Sequence, residues 1–461
     1  MSDELTEKVV YAITILLGGL AVLAAPLSRR IGWLLLAAGI PWASEIIESG
    51  TTTLTLPTDI FAAIGGLGIV VYLLFSPSII AEIWRSSLLR WLGAYFLWMG
   101  ITIAFSTDAV VSLKFWISQI AYAFAFGVGG YLYMRNASQQ GSFVLPTVLL
   151  LSALGVLGIC VFTHISLGGT KDTVERSISP FMREHTVYGA YSAWFFTMSV
   201  VLLALTRNLM MLGAVVLSGA ALFLSYSRGG WLTALAVLAI WAFIELLRRL
   251  SSTARFFLAA MGGLFLLIAG VFIFSYNPEI LQLQIRQKFG EVGQHFASSF
   301  DLKSNLSNME RINRWFSAIQ MIEDRPIFGF GANTFMKEYS AYQRSLTRTP
   351  VSVEMGEVGG AHSEYLTAAS ELGLPGLFFL LGIYLTSLFV GLGGLIRKGP
   401  PELRWRYALF TLPLLSYYLH GFINNFMDHG HVAGLVYLHW GILAALQKEA
   451  VSSPYAELER V

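Results

Sequence analysis

Apolar stretches long enough to cross a bilayer recur along nearly the whole chain, and this repetition limits the fold more than any single motif does. Each is about 17 residues or longer, enough as a helix to cross a hydrocarbon core of roughly 30 Å. Of 461 residues, 55% are hydrophobic and 13% charged, and the mean hydropathy is +0.64. Soluble domains carry about 25% charged residues. A transmembrane barrel would show short segments of alternating hydrophobicity instead. The chain therefore reads as an all-α polytopic membrane protein.

Expected spans lie near residues 9–26, 31–47, 58–76, 89–105, 115–134, 143–164, 186–205, 209–226, 229–247, 255–275, 366–395, 405–424 and 431–447. The segment 31–47 is the weakest, because Pro41 and the acidic SEIIE run (44–48) cut it short. The expectation is thus thirteen spans, or twelve and a half-inserted segment. The acidic start MSDELTEK has no cleavage site after a short apolar region, so the first apolar segment is read as a retained span.

Arg29, Arg30, Arg85, Arg90, Arg135, Arg207, Arg248, Arg249, Arg255, Arg397, Lys398, Arg404 and Arg406 fall on one side when the spans alternate. The positive-inside rule makes that side cytoplasmic. Two long loops, about 165–185 and 276–361, lie on the other. The chain divides into N-terminal spans (1–164), spans with the first outer loop (165–275), the large loop (276–361) and C-terminal spans (362–461). Within the large loop, Ile312, Trp315, Phe316, Ile319, Met321 and Ile322 recur at helical spacing, which predicts an amphipathic helix over 308–325. Pro326 and the Gly-rich FGFGAN (328–333) stop it. The loop is expected to fold as a helical cap over the membrane.

The net charge of +2 comes from basic residues in short loops and carries no nucleic-acid signal. The lone Cys160 excludes a disulfide and a cysteine metal site. Two features carry chemistry. Arg228 stands between two apolar runs in LSYSRGGWL, and a charge at membrane depth is costly unless paired or facing water. An arginine snorkelling to the headgroups beside Tyr226 and Trp231 explains it equally well. Gly229 and Gly230 let the chain bend there. His362 opens HSEYLTAASELGLPG (362–376), a His-Ser-x9-Gly-x-x-Gly pattern in which Gly373, Pro375 and Gly376 allow a close neighbour or a kink. A histidine there accepts a proton near neutral pH, or is simply a helix-entry residue. Ser363, Glu364 and Tyr365 extend this polar mouth. Arg311 and Arg314 lie on the predicted cap helix, either pointing at the membrane or forming a solvated face. Arg183, Glu184, His185 and Tyr188 crowd one outer turn, and His420, Asn424, Asn425, Asp428, His429 and His431 another. The second turn reads as a hydrogen-bonding platform for a sugar rather than a metal site, having neither a His-x-x-x-His pair within a span nor an acidic partner cluster.

At these residues the chain resembles the O-antigen ligase superfamily, the membrane glycosyltransferases of the Wzy/WaaL type. SRGGWL (227–232) resembles the inner arginine motif. ERINRW with RPIFGFGANTF (310–315, 325–335) resembles the loop motif, with Arg311 at its arginine position. HSEYLTAASELGLPG fits the ligase signature, and HTVYGAYSA (185–193) looks like a further common stretch. The resemblance implies a GT-C-like membrane enzyme in the bacterial inner membrane. It would move a glycan from an undecaprenyl diphosphate carrier at the periplasmic face, without a metal or other cofactor. The acceptor would be lipid A–core for a ligase, or another carrier-linked glycan for a polymerase. Arg228 and Arg311 are then the expected stabilisers of the leaving diphosphate, with His362 as the base. Arg314, Arg183, His185, Tyr188, Ser363, Tyr365, Asn424 and Asn425 are the expected substrate contacts. No Gly-x4-Gly-Lys-Ser/Thr phosphate loop occurs. The ligase signature favours ligase over polymerase. A lipid-linked oligosaccharide flippase would instead place charges through the depth of several spans.

Overall fold

The computed structural model describes residues 3–24, 28–48, 52–137, 140–250, 306–343, 360–397 and 400–452. Among them six helices are long and apolar enough to cross a membrane: Ser87–Phe105, Ala109–Arg135, Gly141–Ser166, His185–Thr206, Arg228–Arg249 and Glu364–Ile396. Thr58–Leu74 and Pro77–Ile83 form a further apolar pair bent by 110° at a break where Pro77 opens the second helix. Helices also occupy Asp3–Ala24, Leu209–Leu224, Pro401–His420 and Gly430–Ser452. The protein is an all-α polytopic membrane protein, as expected. The expected span 255–275 lies outside the described residues.

The segment 31–47 departs from a full span. Its helix, Arg29–Ala38, is 10 residues long, about 15 Å at 1.5 Å per residue. A short 3-10 turn, Ile40–Trp42, follows, and then an antiparallel hairpin of Ser44–Glu48 with Thr52–Leu56. The Thr-rich TTTLTL has the β-branched content of a strand. The chain still passes from one face to the other. Arg30 Nη2 donates to Gly141 O at 3.1 Å on the basic face, and Ser44 Oγ donates to Pro180 O at 2.8 Å on the opposite one. Non-helical backbone is tolerated at that depth only where protein covers it. Ile40, Pro41 and Ala43 are buried, and the Tyr191 hydroxyl donates to Pro41 O.

Pro401–His420 and Gly430–Ser452 lie inside the bundle and carry large polar side chains there. Arg406, Tyr407, Tyr417, Tyr418, Tyr437 and His439 are all buried. Some of the basic residues pair with carboxylates: Glu82 accepts from Arg135 Nε at 2.7 Å and lies 2.9 Å from Lys448 Nζ, while Glu245 bridges Arg248 and Arg404.

The predicted cap helix is present as Leu306–Asp324. Its buried face takes in only part of the apolar stripe: Met321 is buried beside Asn313, Arg314, Ser317 and Ala318, whereas Phe316 and Ile319 are exposed. The polar side chains tolerate burial because they are paired: Arg314 Nε donates to Glu310 at 2.7 Å and Nη1 to Gly360 O at 2.9 Å.

The cap is anchored where the Glu364–Ile396 helix breaks. Gly373 has φ 71° and ψ 178°, a conformation essentially reserved for glycine. Around the break Ser370 O and Glu371 O accept from Phe330 N and Gly331 N at 3.1 and 2.8 Å, and Leu374 N donates to Pro326 O. Both oxygens of Glu371 are taken by cap amides, Asn333 N at 2.8 Å and Phe335 N at 3.0 Å. On its other side the same loop meets the start of Ala109–Arg135, where Ser112 Oγ donates to Ala332 O and Lys337 pairs with Asp108. A side chain at Gly373 would run into Ile327 O. Gly373→Ala is expected to destabilise the protein by about 1–3 kcal/mol or more. Gly393→Ala, on the same helix with nothing within 4 Å of its added carbon, should leave the melting temperature unchanged or raised. Equal melting curves for the two in detergent would refute the docking role of the break.

Candidate active site

Three helices converge below Arg228. Tyr226, with φ 51°, makes the reversal before the Arg228–Arg249 helix, and its hydroxyl donates to Gly169 O at 2.8 Å. Ser227 caps the helix by accepting from Gly230 N at 3.2 Å. The bend expected of the two glycines is thus made by Tyr226 and the serine caps. The glycines serve close approach: a side-chain carbon at Gly229 would strike His420 Nε2, and one at Gly230 would lie 2.8 Å from Gly189 O. Arg228 itself is half-buried at the positive end of its helix.

Arg311 enters from the cap. Its Nε donates to Ile423 O at 3.3 Å and its Nη1 to Asn308 Oδ1 at 3.4 Å. It therefore points at the turn following Pro401–His420, toward the membrane helices. Burial first, and then the charge of Arg228, hold its guanidinium down at about 10, with Glu184 acting the other way. Two like charges close enough to perturb each other are costly unless an anion lies between them.

His362 sits on the same turn. Its backbone is left-handed, φ 49°, and is clamped on both sides. His362 N donates to Asn425 Oδ1 at 3.2 Å, and His362 O accepts from Trp315 Nε1 of the cap at 3.1 Å. The ring Nδ1 lies 3.3 Å from Asn424 Oδ1, and Asn424 Nδ2 lies 3.2 Å from His420 Nε2. Packing around the ring, then the charges of Arg314 and Arg311, push His362 down to about 3, with the Asn424 contact opposing them. The imidazole is neutral at pH 7, and it gains its proton far below the neutral range expected from the sequence.

The structure thus brings Arg228, Arg311, His362, Asn424 and Asn425 to one place, the 420–425 turn. The other expected residues sit in supporting contacts. Arg314 is buried against Glu310 and Gly360 O with its guanidinium 4.9 Å from the Tyr339 ring. Ser363 caps Glu364–Ile396 by accepting from Leu366 N at 3.4 Å. The Tyr365 hydroxyl donates to Tyr418 O at 3.0 Å. Tyr188 is buried within the bundle, His185 pairs with Glu175 at 3.5 Å, and Arg183 is exposed.

Two carboxylates matter more here than the sequence pattern suggested. Glu364 Oε1 accepts from Phe426 N at 2.5 Å and Met427 N at 3.1 Å, which fixes the turn carrying both asparagines. Glu371 fixes the cap loop in the same way two helical turns later. A lone glutamate in the apolar ASELG run was the available signal for the latter, since such groups are retained at depth only when paired. Gln119, Asn333, Glu364, Glu371, Asn425 and Asp428 line a cavity of about 60 Å³ behind the His362 segment, roomy enough for ordered water. Among the described residues no group of three or more His, Cys, Asp or Glu side chains is arranged to hold a metal ion.

No curated protein matches the chain. Residues 213–381 match the Wzy_C family, described as O-antigen ligase, and this stretch contains Arg228, the described part of the cap, His362 and both signature glycines. Over this stretch the chain is similar to the O-antigen ligase family, and its described part is a multi-pass membrane protein.

Proposed function

We propose that the protein is an O-antigen ligase of the bacterial inner membrane. In this reading it transfers a glycan from undecaprenyl diphosphate to lipid A–core at the periplasmic face. The observation that carries the reading is the convergence of two guanidiniums and a neutral histidine on one turn at the face opposite the basic residues. The positive-inside rule makes that face periplasmic. A site at one face, under a cap, suits an enzyme better than a flippase, which needs polar groups through the depth of the membrane.

In the proposed step an acceptor hydroxyl attacks the anomeric carbon bonded to the diphosphate. The new glycosidic C–O bond forms as the C–O bond to phosphate breaks, with inversion in a single displacement. The hydroxyl proton passes to His362, and the electron pair of the broken bond leaves on the diphosphate. Arg228 and Arg311 stabilise that developing charge, with the positive end of the Arg228–Arg249 helix beside them. Seating the diphosphate also offsets the cationic field that depresses His362, so the base strengthens only once the donor is bound.

Arg228→Ala and Arg311→Ala are each expected to lower kcat by roughly 10²–10³. Neither Lys variant restores it fully, because bidentate phosphate contacts are lost. His362→Gln is expected to abolish transfer with the protein still inserted, and full activity in that variant would remove the proposed base. Arg248→Ala at the basic face should have no effect. The pH profile separates the free and loaded states. kcat/KM should show no acid limb from His362 between pH 7 and about 4, because the free ring titrates near 3. The limb in kcat should lie higher; coincident limbs near pH 6.5 in both would contradict the electrostatic account.

The acceptor is decided with purified protein, EDTA and an undecaprenyl diphosphate-linked glycan. A single shifted lipid A–core band identifies a ligase. A ladder on the carrier lipid without lipid A–core identifies a polymerase of the same superfamily.

A further inference from the structure

We propose that residues 326–328 of the cap are a lipid anchor, which dips Ile327 and Phe328 beside two spans into the outer leaflet of the bilayer. The partner is the upper acyl region of that leaflet. The anchor goes beyond the chemistry proposed above and does not depend on it.

The depth of the tip follows from the spans that it touches. Glu364–Ile396 ends at Arg397, and Arg85 precedes Ser87–Phe105. The positive-inside rule puts both arginines at the cytoplasmic interface. From Ile396 back to Leu374 the helix climbs about 33 Å at 1.5 Å per residue, slightly more than a hydrocarbon core of roughly 30 Å. Leu374 thus stands at the outer edge of the core. Phe105, the last apolar residue before Ser106, Thr107 and Asp108, ends the neighbouring span. The tip is fastened at this level and below it. Leu374 N donates to Pro326 O at 2.8 Å. The Phe328 ring stacks on Phe105 at 3.8 Å and, at 5.6 Å, on Trp98, two turns further into the same span. Trp98 Nε1 in turn donates to Leu372 O at 2.8 Å, which ties the two spans together beside the ring.

Exposure and polarity say what covers the tip. Ile327 is 56% exposed, and its neighbours Phe105, Leu374 and Phe378 are exposed as well. Leu97, Ile101 and Phe105 are exposed at intervals of four on one span, and Leu374, Phe378 and Leu385 share a face of the other. The patch is therefore the upper end of a lipid-facing surface and not an isolated apolar spot. Polarity changes abruptly on the other side of the tip, where Glu323, Asp324 and Arg325 are charged and exposed. Non-helical backbone at this depth needs its polar groups paired within the protein. Pro326 has no N–H to pair, its carbonyl serves Leu374 N, and Gly329 N donates to Arg325 O at 3.1 Å. The bilayer then sets the height of the cap. Arg311 lies on Leu306–Asp324, the helix that leads into the tip. On the functional reading above, this holds it at the level where a membrane-borne donor presents its diphosphate.

The test is spin-label accessibility in the full-length protein, in nanodiscs of phosphatidylethanolamine and phosphatidylglycerol. A nitroxide is placed by I327C, with E323C as the water reference and the exposed mid-span position L385C as the lipid reference. Cys160 is buried and should take up no label, which the native protein checks. Collisions with oxygen should be frequent at position 327, and those with a water-soluble nickel chelate largely lost relative to E323C. Their ratio should place the label about 5–10 Å inside the headgroup–acyl boundary. Nickel collisions as frequent as at E323C would mean that the tip lies in water, and would overturn the inference. Few collisions with either reagent would overturn it too, because a protein surface, such as a second copy of the chain, would then cover the tip. Should I327C fail to insert, the native protein is photolabelled with a phospholipid carrying a diazirine near the glycerol end of its acyl chain. Carbene adducts on residues 326–328 are expected. Adducts at Leu374 and Phe378 without any on 326–328 would contradict the anchor.

Discussion

The break at Gly373 is the constraint on which the site depends. A helix interrupted within the membrane must pair its freed backbone groups inside the protein. Here the cap loop supplies the partners, with Phe330 N, Gly331 N and Pro326 O meeting the chain on either side of the break. Pairing in both directions makes this a seat rather than a contact of convenience. The cap helix is placed by that seat, and with it Arg311 over the 420–425 turn and Trp315 on the carbonyl of His362. The loop motif and the histidine signature are thus two halves of one joint. Gly329 and Gly331, with φ 64° and 109°, provide the backbone of one half, and Gly373 provides the other.

Charge is distributed unevenly around this joint. At the basic face the cations meet carboxylates: Arg135 and Lys448 share Glu82, and Arg248 and Arg404 share Glu245. Arg314 in the cap has Glu310. In the site, the charge of Arg228 adds to burial in lowering Arg311, and Glu184 is the carboxylate that offsets it. A folded chain tolerates such juxtaposition where binding an anion recovers the cost, and strongly perturbed groups cluster at functional sites.

The helices were legible because apolar length alone specifies them; Arg228 drew notice as a charge between apolar runs, and Arg311 and His362 chiefly through the motifs they share with the resembled family. What stayed hidden involves contacts between distant segments. The cap helix buries Met321 of its apolar stripe but leaves Phe316 and Ile319 exposed. Its polar residues found partners at Gly360 and Ile423, which no local spacing encodes. The burial of Asn424 between two histidines could not be read from its place in an outer turn. Gly229 and Gly230 read as hinges, and proved to be the clearance that lets neighbouring helices close up.

The half-crossing near the N-terminus bears on how the protein is made. A helix as short as Arg29–Ala38 cannot partition into lipid alone, since the non-helical stretch after it would carry open backbone groups into hydrocarbon. Its partners lie far downstream: Trp33 Nε1 donates to Ala125 O, Ser152 Oγ to Ala38 O, and Trp42 Nε1 to Ser152 Oγ. During synthesis this segment must wait, at the interface or in the insertion machinery, until more than a hundred further residues have emerged. Biogenesis is thereby out of step with chain order, and an early stretch of sequence is among the later pieces to take its place.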